Sequence, residues 1–176
     1  MGKNKKISVK QNPQTLAMLG LCTAAAMILS YVESFIPSVT PGLKIGLPNV
    51  VIVFVLYRAG WPSAAAVSLV RVVLTAILFG SVMSLAYGLA GAVLSLIVMT
   101  LLRRLHFFSV VGVSVAGGVA HNAAQILVAA AVMQTTQIVY YLPVLIIGGT
   151  IAGILIGIAG GVLLSRFPET ISAKRR

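Results

Sequence analysis

The chain has 176 residues, 59% of them hydrophobic and 9% charged, with a mean hydropathy of +1.07. A soluble domain carries about a quarter charged residues, so this composition cannot cover a water-facing surface and indicates an integral membrane protein. Thirteen Lys and Arg stand against two acids, Glu33 and Glu169, for a formal net charge of +11. With no Asp, the chain has no Asp-rich magnesium motif, Asp dyad or Asp-based triad, and its single cysteine, Cys22, makes no internal disulfide.

The first fourteen residues, MGKNKKISVKQNPQ, are polar and basic and read as a cytoplasmic tail. The apolar run that follows is too long for a cleaved signal segment and leads into more membrane sequence, so it reads as a retained first helix. A spanning helix takes roughly 20 apolar residues. That length predicts an all-α bundle of six transmembrane helices near 15–36, 45–59, 62–80, 82–102, 107–133 and 138–165, followed by a basic cytoplasmic tail over 166–176. The second segment is short and contains Pro48, which leaves a thin helix or a re-entrant one. With six spans and the N-terminus in the cytoplasm of a cell-membrane protein, Lys3, Lys5, Lys6, Lys10, Arg58, Arg103, Arg104, Arg166, Lys174, Arg175 and Arg176 fall inside and only Lys44 outside. The positive-inside rule favours this arrangement. Basic residues at segment ends, with no interleaved aromatics and no nucleic-acid motif, suit anionic lipid head groups better than nucleic acid.

Two small-residue patterns stand out. In the sixth segment Gly149, Gly153, Gly157 and Gly161 recur every four residues, a smooth stripe that lets another helix approach closely. It reads as helix packing. It is no phosphate loop, since the Lys-Ser/Thr ending and a preceding strand are missing. The cytoplasmic half of the first segment carries Ala17, Gly20, Ala24 and Ala25, with Gly20 and Ala24 as a small-xxx-small pair.

Polar groups inside apolar segments carry the functional signal. Arg71 lies at the centre of the third segment, in SLVRVVLTA. A charge there is costly and faces an interior or a cavity, and the guanidinium fork suits carboxylate or phosphate. Its partner is either Glu33, the only acid in the predicted membrane region, or an anionic ligand. In the fifth segment His121 and Gln125 share a helical face, with Asn122 beside them. Asn49 and Thr75 are further candidates. A pocket of Arg71, His121, Asn122, Gln125 and Asn49, with Glu33 and Lys44 near its rim, suits a small anionic or hydrogen-bonding solute with a flat apolar part. His121 lacks companion ligands for a metal, and no nucleophile elbow is present. The pattern calls for no catalytic residue, no metal and no cofactor.

The stretches LSYVESFIP, PGLKIGLPNVV, SLVRVVLTAILFG, SLAYGLAGAVLSLIVM, GVSVAGGVAHNAAQILVAA and YYLPVLIIGG, in this order and spacing, resemble the Gx transporter family, also called heptaprenyl diphosphate synthase component I. That family is similar to the substrate-binding S components of energy-coupling factor transporters. The resemblance covers roughly residues 16 to 160. It implies a compact six-helix protein that captures a vitamin-like compound from outside. It further implies association with a transmembrane coupling protein and two cytoplasmic ATPases. The first-helix face that contacts the coupling protein would carry over to Ala17, Gly20, Ala24 and Ala25, with Gly20 in place of one Ala of the usual pattern. Where the family pattern has Ala, this chain has Pro48. The synthase label sits badly with a chain that has no Asp, because such synthases hold magnesium through Asp-rich motifs. The alternative is a non-transport accessory subunit of a prenyl, quinone or electron-transfer pathway, in which the polar groups serve packing alone.

Overall fold

The computed structural model describes residues 13–35, 46–105, 107–134 and 137–167. Lys44, His106, Glu169, the expected outer turn over 37–44 and most of both tails, 1–12 and 168–176, lie outside the described residues. Six helices account for nearly all of the rest: α1 (Pro13–Ser34), α2 (Asn49–Ala59), α3 (Trp61–Phe79), α4 (Val82–Arg104), α5 (Val110–Met133) and α6 (Leu142–Arg166), with a short 3₁₀ turn, Gln137–Tyr141, before α6. Hydroxyls cap two of the helices: Ser81 accepts from the Ser84 N–H at 3.2 Å and Ser109 from the Gly112 N–H at 3.1 Å. Pro62 and Pro143 stand in the first turns of α3 and α6, where the missing N–H costs nothing. A single residue joins α2 to α3: Gly60 at φ +85° reverses the chain in a conformation open mainly to glycine.

Five helices are long and apolar enough to cross a membrane, and the protein is an all-α integral membrane bundle. The second predicted span is shorter than expected. In place of 45–59, α2 is 11 residues long. At 1.5 Å per residue it rises about 16 Å, half the ~30 Å hydrocarbon thickness. Its neighbours place it along α6. Gly46 lies against Ile156, and a Cβ on Gly160 would stand 3.2 Å from Val53 Cγ1. At the far end Arg58 Nη2 donates to the Leu164 and Phe167 carbonyls. So α2 runs beside only the final eleven or so residues of α6, and the preceding half of α6 has no α2 alongside it.

Helices α2, α3, α4, α5 and α6 pack in that order into a closed ring, and α1 leans on α3 and α2 from outside. The short helix is the core of the assembly. Its residues Ile52, Val53, Val55 and Leu56 are almost fully buried against Ala26, Ala64, Val67, Met99, Val113, Ala152 and Ile156. A helix apolar on every side belongs in such a position. Outward faces carry Leu21, Ile28, Ile77, Leu127, Ile147 and Leu155, an apolar exterior suited to lipid.

The α5–α6 seam shows what the glycine stripe does. A Cβ on Gly149 would lie 3.0 Å from the Gly118 carbonyl oxygen, one on Gly153 2.5 Å from Val115 Cα, and one on Gly157 2.6 Å from Val111 Cα. Three glycines thus admit the backbone of an antiparallel neighbour, as small residues do in membrane bundles. Gly161 breaks the expectation: a Cβ there would meet nothing within 4 Å. Val111 opposite Gly157 is the second residue of α5, so one turn further along α6 there is no helix left to face. Gly160 is the buried glycine at this level.

Candidate functional site

The site grows from one stripe of α3. Ala64, Val67, Ser68 and Val72 are buried, whereas Leu69, Val70, Ile77 and Leu78 are exposed. Arg71 and Thr75 continue the buried stripe at i+3 and i+7 from Ser68, so both point into the bundle. Arg71 Nε and Thr75 Oγ1 are buried and have no hydrogen-bond partner. No hydrogen bond or ion pair joins Arg71 to another described residue. That is an unusual state for a guanidinium, whose buried donors are normally satisfied.

Glu33 is near but otherwise engaged. Its Oε1 accepts the Gly46 N–H at the entry to α2, and it acts on Arg71 only as a charge at longer range. The carboxylate thereby ties the end of α1 to the start of α2. Asn49, half-buried, begins α2 and bonds through its own N–H to the Gly46 carbonyl at 2.8 Å. Lys44 lies outside the described residues.

Glycines on α4 set the level of α5 against α3. A Cβ on Gly88 would stand 3.1 Å from Val72 Cγ1, and one on Gly91 would stand 2.6 Å from His121 Cε1. Since Gly88 and Gly91 are less than one turn apart, Arg71 and His121 occupy nearly the same depth. The imidazole packs into the notch that Gly91 leaves in α4. It is held by Gln125, whose Nε2 lies 3.1 Å from His121 Nε2. Gln125 Oε1 is buried without a hydrogen bond.

The three polar residues of α5 therefore divide. Asn122 turns to α6, where its Nδ2 donates to the Leu145 carbonyl at 2.9 Å. Gly149 makes this bond fit, since a Cβ there would lie 2.9 Å from the same nitrogen. Adjacent residues on a helix differ by 100° in direction, which is how His121 faces α4 while Asn122 faces α6. Asn122 belongs to the helix seam; Arg71, Thr75, His121 and Gln125 form the polar level of the interior. Of these Thr75 was the weakest signal in the sequence, visible only as a hydroxyl one turn beyond Arg71. The role of Gly91 was not foreseen. Its cue was the four-residue repeat Gly91, Ser95, Met99, all buried.

The opposite end of the bundle carries a latch that sequence reasoning treated only as charge. Arg103 donates from Nη1 to the Leu56 carbonyl and from Nη2 to that of Tyr57 at 3.1 Å. Its guanidinium lies 5.0 Å from the Tyr57 ring centroid. With Arg58 on the α6 carbonyls, two arginines satisfy free helix-end carbonyls of α2 and α6. On α1, Ala17, Gly20 and Ala24 are exposed, and a Cβ on Gly20 would meet nothing. Ala25 departs from that face and packs on the core.

Residues 22–163 match the family model for heptaprenyl diphosphate synthase component I. The chain belongs to that family. The matched span holds Arg71, Thr75, Gly91, His121, Gln125 and the glycine stripe; Ala17 and Gly20 precede it. No curated protein and no solved structure matches the chain.

Proposed function

We propose that the protein is a substrate-capture subunit of an ATP-driven importer of the energy-coupling factor kind, taking a small solute from the outer side of the cell membrane. The observation that carries this reading is the pair of buried, unpartnered donors on α3, Arg71 Nε and Thr75 Oγ1. Asn122 and Arg58, which fix helix packing, each donate to a carbonyl across the bundle, whereas the Arg71 guanidinium and the Thr75 hydroxyl bond no described residue. The half-length α2 supports the same reading, because among the described residues it leaves the outer half of the ring beside α6 free of a helix. The end that carries Arg58, Arg103, Arg104 and Arg166 is then cytoplasmic by the positive-inside rule, with both termini inside. The exposed Ala17, Gly20 and Ala24 face of α1 is the docking surface for a transmembrane coupling protein and its ATPases. The chain itself performs no catalysis and needs no metal or cofactor.

The family description names a synthase component, and that supports a second reading as a membrane accessory subunit of a prenyl pathway. With no Asp in the chain, any magnesium-diphosphate chemistry would belong to the partner. Affinity capture of the full-length chain from its native membrane in mild detergent separates the two. A coupling protein with ATPases, lost on Gly20→Leu, is the expected result. Capture of a prenyl synthase without ATPases contradicts the importer reading.

A further inference from the structure

We infer that Arg71 and Thr75 form a binding site for one carboxylate group, and that the captured solute is a monoanion. The inference rests on the capture reading above and names the chemistry of its ligand. Arg71 and Thr75 are one turn apart on the same buried stripe, and each has a buried polar atom without a hydrogen bond. Nε–H with an Nη–H makes the fork that a carboxylate occupies through both oxygens. The Thr75 hydroxyl, rotating freely, donates to one of the same oxygens. Gln125 Oε1, buried and unpartnered on α5, is an acceptor and so repels an anion; it suits a hydroxyl or N–H elsewhere on the solute.

Charge balance selects the class of anion. Among the described residues Arg71 is the one Lys or Arg between the two ends of the bundle, the others being Arg58, Arg103, Arg104 and Arg166 at a single end. Glu33 adds negative charge on the same side. A phosphate monoester carries about −1.5 to −2 at neutral pH, and a diphosphate more. One guanidinium compensates one negative charge at most, and a phosphate leaves more charge uncompensated than a carboxylate does, in a medium where each excess charge is costly. A carboxylate leaves the least excess charge and matches the guanidinium fork in planar shape.

The test uses the full-length chain in detergent micelles with fluorine NMR of 4-fluorobenzoate, 4-fluorobenzamide, 4-fluorophenyl phosphate and a fluorinated dodecanoate. The expected order is carboxylate over amide and phosphate by about 10-fold or more. The benzoate and dodecanoate arms separate a water-borne carboxylate from a lipid-derived one, and binding of either carries the inference. Arg71→Lys should weaken carboxylate binding by about 10-fold and Thr75→Val by about 5-fold, in line with charged and neutral hydrogen bonds. Val keeps the shape of Thr, so this variant tests the site even where a change at Arg71 disturbs folding. Carboxylate binding unchanged in both variants, phosphate bound as tightly as benzoate, or no carboxylate bound at all overturns the inference. Because no coupling protein is needed, carboxylate binding without ATPase capture refutes the importer alone, and ATPase capture without carboxylate binding refutes this inference alone.

Discussion

The seam between α5 and α6 and the buried stripe of α3 are both polar intrusions into an apolar bundle, and they are handled in opposite ways. In the seam, glycines remove every side chain that would hold the backbones apart, and the one amide present, Asn122, donates to the Leu145 carbonyl across the gap. On α3, a guanidinium and a hydroxyl one turn apart have buried atoms that bond to nothing among the described residues. The seam accounts for its own polar groups and needs no ligand. The stripe does not, and a buried side chain with no hydrogen bond to any described residue carries a penalty that a structural role gives no reason to bear.

Changes in the seam should cost stability and spare binding, and changes on the stripe should do the reverse. The largest effect is expected from Gly153→Leu. Its side chain would start 2.5 Å from Val115 Cα, where only backbone can yield, and overpacking of this kind costs about 3 kcal/mol or more. Thermal unfolding in detergent should show loss of the folded species. Next, Arg71→Ala should lower affinity for the captured solute by about 100-fold, the scale of a lost charged hydrogen bond, with an unfolding midpoint near that of the wild type. Loss of folding together with binding would place Arg71 in the packing class and erase the contrast. Asn122→Ala should destabilise by about 0.6 kcal/mol, typical of a hydrogen bond between membrane helices, and leave solute binding intact. A binding defect in this variant with normal stability would move Asn122 to the ligand site. The smallest effect is expected from Gly161→Ala, within about 0.5 kcal/mol by the same unfolding assay, since open space surrounds that position.

How far each region could be read from the sequence follows from its geometry. Helix count and the apolar exterior are set by length and composition, and the glycine period of four identifies a packed face. Where that face ends depends on the partner: Gly157 meets Val111 at the start of α5, and Gly161 overshoots it. The shortness of α2 was visible around Pro48, but whether it spans was left open for a similar reason. Its residues are apolar on all sides whether it spans or fills a core, and only the neighbours Ile156, Gly160 and Leu164 on α6 fix its extent. The clustering of His121, Asn122 and Gln125 was plain, yet their division between α4 and α6 rests on Gly91 and Gly149, remote in sequence. Glu33 was singled out in the sequence as the acid available to Arg71, and the backbone N–H of Gly46 donates to its Oε1. A helical period cannot report such a loop contact.

Native mass spectrometry of the full-length protein, purified gently from its native membrane, tests the central claim most directly. The account predicts a small-molecule adduct on the wild type that is absent from a folded Arg71→Ala variant and retained by Asn122→Ala. A wild type that never carries an adduct when purified from cells supplied with its solute, or an adduct that survives Arg71→Ala unchanged, would contradict it.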